Sequence, residues 1–247
     1  ALDKAKTIDL ARKLGVPTPA SVSVAKSDIE RLRCLPFGFP VALKTSQSDR
    51  PHRFVTRYAR SLNELQSSLS EVLADGDTVL VQEVVTGEGT AIFALFDAGG
   101  PVVTFAHRRI HEKPPSGGVS TLCQSIEPPE DMLEHSLRLL RELGWCGVAM
   151  VEFKRSASGT PVLMEINPRY WGSLELAIRC GVDFPFLACR LMQGERPVVT
   201  QTRHGANRWV LGDLDSLIVA VRHASLVDCR AVEPLRRLWD LRYGLCC

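Results

Sequence analysis

The chain has no run of about twenty apolar residues and no signal peptide at its start, which argues against a membrane-spanning or secreted protein. It also lacks an excess of charge of one sign. Net charge is +2 with acids and bases mixed along 247 residues, so the basic footprint of a nucleic-acid binder is missing. Eight cysteines are present, at 34, 123, 146, 180, 189, 229, 246 and 247, but no two form a Cys-x-x-Cys pair. They read as reduced thiols of a cytoplasmic protein rather than a zinc or disulfide framework. No Ser-His-Asp or Cys-His arrangement offers a nucleophile, and there is no internal repeat or low-complexity segment. The chain opens at Ala1 without Met, which leads us to expect a preceding segment.

What is present is enough for a real core, since 45% of residues are hydrophobic. The pattern predicts a helix from Asp3 to Leu14 capped by Asp3, a strand over Ser21 to Val24, and a helix over Asp28 to Cys34 capped by Ser27. Strands follow at Val41 to Lys44 and Phe54 to Tyr58. Ser61-Leu62-Asn63-Glu64 then opens a helix with a capping box. Val79 to Val85, Thr90 to Asp97, Val102 to His111 and Val119 to Ser125 are strand-like, and Pro129 to Leu143 is an amphipathic helix. Helices over Ser173 to Arg179, Phe184 to Met192, Asp213 to Ala224 and Val232 to Tyr243 complete the reading, with Ser173 as a cap. Strands in runs, with helices on one side, argue for an α+β fold.

The most informative stretch is Met150-Val151-Glu152-Phe153-Lys154, a turn over Ser156 to Thr160, then Leu163-Met164-Glu165-Ile166-Asn167-Pro168-Arg169. Two apolar segments around turn chemistry read as a hairpin. Strand alternation puts Glu165, Asn167 and Arg169 on one face and Met164 and Ile166 on the other. Pairing Lys154 with Pro161 around a six-residue loop places Glu152 on the polar face, a diagonal neighbour of Glu165 roughly 7–8 Å away at the backbone. Two carboxylates and an amide oxygen so placed suit a hard cation such as Mg²⁺, whose octahedron is completed by phosphate oxygens and water. A solvated hairpin with a few surface charges is the plain alternative.

This order of carboxylate, short loop and Glu-Ile-Asn-Pro-Arg resembles the metal signature of the ATP-grasp superfamily, in particular its carbamoyl-phosphate-synthase-like and predicted carboxylate–amine ligase members. The resemblance runs from the first residues to about Gln193. It implies two α+β lobes with the nucleotide in the cleft between them: residues 1–77 as a small lobe, 78–195 as a larger metal- and nucleotide-binding lobe, and 196–247 as a helical extension. It implies ATP and Mg²⁺, with Mn²⁺ as a substitute, held by Glu152, Glu165 and Asn167, and it sets Arg169 beside the phosphates or an acyl-phosphate intermediate. Lys44, a charge ending an apolar strand, matches the lysine that holds ATP phosphates, and Lys4 the lysine opening the nucleotide domain.

The segment Val79 to Glu88 resembles the strand and linker that hold adenine, with the Glu83 carbonyl and Val85 amide at the purine edge, Gln82 and Val84 nearby, and Glu88 for the ribose. An ordinary edge strand ending in a glycine turn is the alternative there. His107, Arg109 and His111 share a strand face that leads to Lys113 and Ser116-Gly117-Gly118, whose amides suit an anion. Arg109 and Lys113 are assigned to anionic substrate or phosphoryl oxygens. His107 and His111 read equally well as structural. Thr45 to Arg53, where similar enzymes have a glycine-rich flap, contains no glycine.

The resemblance implies a ligase that activates a small-molecule carboxylate as an acyl phosphate for attack by an amine, working with a further domain or a second subunit. A non-catalytic nucleotide-binding or regulatory module is the second reading.

Overall fold

The computed structural model describes residues 4–31, 34–45, 56–73, 78–113, 118–199, 202–216 and 218. The chain forms two compact units that interleave in sequence, one of residues 1–87 and 151–168 and the other of 88–150 and 169–247.

The first unit begins with helix α1, Lys4–Lys13, which buries Thr7, Ile8 and Ala11. Gly15, at φ +66°, stops it. Its amide bonds to the Arg12 carbonyl and that of Val16 to the Ala11 carbonyl, and the buried Val16 seals the end. The Leu163 amide donates to the Pro17 carbonyl at 2.8 Å, so the segment leaving α1 is tied to the hairpin. A four-stranded antiparallel sheet follows, of β1 Ser21–Ala25, β2 Val41–Thr45, β3 Arg57–Ala59 and β4 Thr78–Glu83, in the order β1-β4-β2-β3. Val24, Val41, Leu43, Val79 and Val81 turn one face toward helix α2, Leu62–Val72, whose Leu65 and Leu69 are fully buried. Alternation puts Ala42, Lys44, Leu80 and Gln82 on the other face, with Lys44 opposite Leu80.

Ser61 caps α2 by accepting from the Glu64 amide, and the Glu64 carboxylate accepts from the Arg60 amide at 2.7 Å, one residue earlier than a strict capping box. The helix expected over Asp28 to Cys34 is instead a 3-10 helix, Lys26–Arg31. Asp28, not Ser27, takes the neighbouring backbone amide, accepting from Ala25 at 3.2 Å.

The second unit is built on β5 Glu88–Asp97, β6 Gly100–Lys113 and β7 Val119–Ile126 with helices α3 Glu130–Glu142, α4 Leu174–Arg179 and α5 Phe184–Met192. β5, β6 and β7 pair antiparallel in the order β7-β6-β5, with the strand Ala206–Arg208 (β10) antiparallel beside β7 and the strand Gly147–Arg155 (β8) beside β5. β8 is Gly147–Arg155, and its first four residues lie in this unit before the strand passes into the first unit at Val151. There it forms a hairpin with β9, Pro161–Asn167. The short edge strand β10, Ala206–Arg208, had no signal in the sequence. Phe93, Leu95, Phe105, Trp171, Leu176, Val182, Phe184 and Leu187 make the core.

Ser173 does not cap α4, because its hydroxyl meets His107 Nδ1 at 3.3 Å instead. Residues 210–216 are helical. The rest of the helix expected to Ala224, the one at Val232 to Tyr243, the cap Asp3, the flap from Ser46 to Arg53, Phe54 and Val55, and Ser116 and Gly117 lie outside the described residues. Among the described residues, no helix is long and apolar enough to cross a membrane.

Candidate functional site

The hairpin carries the polar group in the first unit. The Ser156 amide donates to the Thr160 carbonyl at 2.9 Å, closing a loop over Ala157, Ser158 and Gly159 that is tighter than the six-residue loop expected. The side chains converge nonetheless. Asn167 Nδ2 donates to Glu152 Oε1 at 3.1 Å and to Glu165 Oε1 at 2.7 Å. Leu163 and Ile166, on opposite faces of β9, are buried and anchor the strand, while Met164, Glu165 and Asn167 are half-buried, so the polar groups stay reachable.

Two lysines complete the group. Lys4, at the start of α1, titrates near 8 instead of 10.5, chiefly because burial disfavours the ammonium, with Lys44 acting the same way and Glu165 and Glu152 opposing. Burial lowers Lys44 as well, against the pull of Glu165 first and Glu152 second, while Lys154 adds to the lowering. Lys4, Lys44, Glu152 and Glu165 therefore lie within one another's electrostatic reach. Half-buried ammonium groups whose hydration is already reduced lose less on meeting phosphate oxygens.

The donor set fits a hard cation. Two carboxylate oxygens converge with an amide, and turning that amide about its last torsion replaces the two N–H donors with Oδ1. Among the described residues, no cluster of three His, Cys, Asp or Glu side chains could hold a metal. A cation here would thus need oxygens brought by a ligand, the usual situation for Mg²⁺.

The expected purine segment lies on the same unit as far as Gly87. Gln82 is buried and donates to Ser21 Oγ at 3.1 Å. Glu83 clamps Ala20: its amide donates to the Ala20 carbonyl and its carboxylate accepts from the Ala20 amide, both at 2.9 Å. β4 ends at Glu83, so Val84 and Val85 begin a linker rather than extending the strand as expected.

The remaining candidates belong to the second unit, and each has an internal partner. Glu88 opens β5 with its carboxylate 3.5 Å from Arg108 Nη1. Arg109 Nη1 donates to Glu112 Oε1 at 3.0 Å and to the Gly118 carbonyl at 3.1 Å. Lys113 pairs with Asp215 and stands 5.6 Å from the Trp209 ring centre. The exposed Arg169 donates to the Tyr170 carbonyl at 2.9 Å.

The two histidines have their neighbours within the second unit. His107 is buried edge-on to Phe93, and desolvation, with Arg109 adding to it, holds it neutral down to about pH 3. His111 Nδ1 meets Asp213 Oδ1 at 2.7 Å, and Thr121 donates to the same oxygen at 3.0 Å. Burial pushes the Asp213 carboxyl up, but the His111 hydrogen bond and charge, Thr121 and Arg208 outweigh it and leave it below the usual range. Register shifts in β6 around His111 break the single basic face expected from alternation.

The Lys4 shift has a readable consequence. Raising the pH through about 8 discharges Lys4, so affinity for a polyphosphate should fall there and binding should take up protons. Stability without ligand moves the other way. The unfolded chain holds this proton more tightly, so stability rises with pH from about 8 to 10.5 and is flat below. Calorimetry of Mg-ATP binding at pH 8.5 in buffers of different ionisation enthalpy should report proton uptake, and Lys4→Met should remove much of it. Uptake unchanged in that variant would show that Lys4 does not meet the ligand.

Antiparallel sheets with helices, and two lysines facing a Glu, Glu, Asn set on a hairpin, make this the ATP-grasp fold. Solved structures agree. An L-amino acid ligase from Bacillus licheniformis matches 83% of this chain and 52% of its own, with TM-score 0.66 and 17% identity. The biotin carboxylase domain of a 2-oxoglutarate carboxylase from Hydrogenobacter thermophilus, crystallised with MgADP and bicarbonate, matches 83% and 48%, with TM-score 0.62 and 19% identity. By sequence, N5-carboxyaminoimidazole ribonucleotide synthase from Synechococcus elongatus is 32% identical over 117 residues, 45% of this chain and 28% of that protein. The chain belongs to the family described as ATP-grasp in the biosynthetic pathway with Ter operon, whose family model matches residues 75–210. It spans about half the length of these solved structures and less than a third of the curated relative.

Proposed function

We propose that this chain is the Mg-ATP-binding part of an ATP-dependent ligase that activates a carboxylate and joins it to an amine. The observation that carries this reading is the convergence of Lys4, Lys44, Glu152, Glu165 and Asn167 in one compact unit. Glu152, Glu165 and Asn167 Oδ1 would hold Mg²⁺, which supplies neutralising charge to phosphate oxygens. Lys4 and Lys44 hold the phosphates. Glu83, Val84 and Val85 face the base, with Gln82 bracing them through Ser21, and Glu88 accepts from the sugar.

In the reaction the substrate carboxylate oxygen takes the γ-phosphoryl group and ADP leaves. The amine nitrogen then attacks the acyl carbon, phosphate departs, and the nitrogen loses a proton. Positioning and charge neutralisation carry both steps, so no protein nucleophile is required. Arg169 lies two residues past Asn167 in the chain, which favours a role at the transferred phosphoryl group. Arg109 and Lys113 are assigned to the anionic substrate, which they would meet by exchanging Glu112 and Asp215 for it.

Lys44→Met tests the phosphate assignment. The apolar stem preserves β2, while a charged hydrogen bond worth about 1.5–3 kcal/mol is lost. ATP affinity should drop about tenfold or more and adenosine affinity should stay level. Equal losses for both would make Lys44 structural. Phosphate release with a panel of carboxylates and amines, measured on the full-length protein, tests the reaction.

A further inference from the structure

The segment from Val84 to Thr86 belongs to neither strand beside it, so no sheet ladder holds it. Two consecutive residues at the end of β8 grip it instead. Lys154 Nζ donates to the Val85 carbonyl at 3.3 Å. Gly87, at φ +143°, lies so close to the Arg155 carbonyl that an added Cβ would stand 1.9 Å from its oxygen. Arg155 is fixed in turn, its Nη1 donating to the Gly159 carbonyl at 2.7 Å within the hairpin turn. Lys154 is two residues from Glu152 and so shares its face of the strand, and it lies close enough to bear on Lys44.

We propose that Lys154 is a positioning residue for the nucleoside end of the site: its ammonium, bonded to the Val85 carbonyl, fixes the linker that receives the purine base. This rests on the nucleotide reading above. The same strand then serves both ends of the ligand, the metal through Glu152 and the base through Lys154. A lysine on this face is otherwise naturally taken for another phosphate contact, and the two roles separate cleanly by ligand.

The test is the affinity of the full chain and of its Lys154→Met and Lys154→Arg variants for adenosine, which has no phosphate, and for Mg-tripolyphosphate, which has no base. For Lys154→Met, adenosine affinity should fall about tenfold, the loss of one charged hydrogen bond. Mg-tripolyphosphate affinity should change by less than about threefold, and Lys154→Arg, which keeps a donor in reach, should restore adenosine binding. Unchanged adenosine affinity in Lys154→Met, or a loss confined to tripolyphosphate or equal for both ligands, would overturn the assignment. A wild-type chain that binds neither Mg-ATP nor adenosine would overturn the nucleotide reading itself, and this proposal with it.

Discussion

Replacing Glu165 with Gln should lower Mg-ATP affinity about a hundredfold, and Glu152→Gln should lower it by about tenfold. Either change removes one anionic oxygen from the cation's prospective set, a charge-assisted contact worth about 1.5–3 kcal/mol. Glu165 does more. It is the leading attraction sustaining the charge of both Lys4 and Lys44, ahead of Glu152 in each case. Its loss pushes both lysines further toward the neutral form and weakens phosphate binding a second time. The fold should persist, because the amide is isosteric and its oxygen still accepts from Asn167 Nδ2. In EDTA the difference from wild type should close or reverse, since without a cation the carboxylates only repel phosphate. Titration calorimetry with and without Mg²⁺ decides it. Wild-type affinity in both variants, or an equal loss without metal, would remove the metal site.

Gly87→Ala should be the most damaging small substitution in the first unit, costing about 3 kcal/mol. The new methyl would sit 1.9 Å from the Arg155 carbonyl oxygen and 2.8 Å from its carbon, both backbone atoms that cannot swing aside. The residue also has a φ of +143°, which an L side chain rarely adopts. Gly15→Ala is the matched control. Its φ is +66° but nothing lies within 4 Å, so only the left-handed backbone penalty of about 1–2 kcal/mol remains. Denaturant midpoints of the two variants should differ clearly. Equal costs would mean that the linker does not lie against β8 as described. Gly87→Ala should also weaken adenosine binding, because the linker must move.

Much of the first unit was legible without coordinates because its signals are local. Helix α1 with its glycine stop, β1, β2 and the start of α2 with Ser61 and Glu64 follow from short-range periodicity and capping, and the ends of α1, β1 and β2 fall within a residue of expectation. The carboxylate pair was legible for the same reason: a hairpin with turn chemistry brings Glu152 and Glu165 together whatever surrounds it, and a loop shorter than supposed did not separate them. Roles that depend on what lies across the fold were not legible. Ser173 looks like a helix cap until His107 is seen beside it. His107, Arg109 and His111 read as a cationic stripe leading to Lys113, and only the fold shows Glu112 beside Arg109 and Asp215 beside Lys113. Gln82 reads as lying near the base, and only the fold shows it buried and donating to Ser21. The Asp213 hub joins residues about a hundred positions apart, and a three-residue edge strand has no period to detect.

The sequence by itself determined most of the longer elements and the convergence of Glu152, Glu165 and Asn167 on the hairpin, because those rest on spacing within one strand, helix or hairpin. Tertiary structure decided which charges are spent on one another, how burial shifts Lys4 and Lys44, and that Lys154 and Gly87 hold the linker. Each of these depends on distances between segments far apart in the chain, and on water excluded only once they have packed.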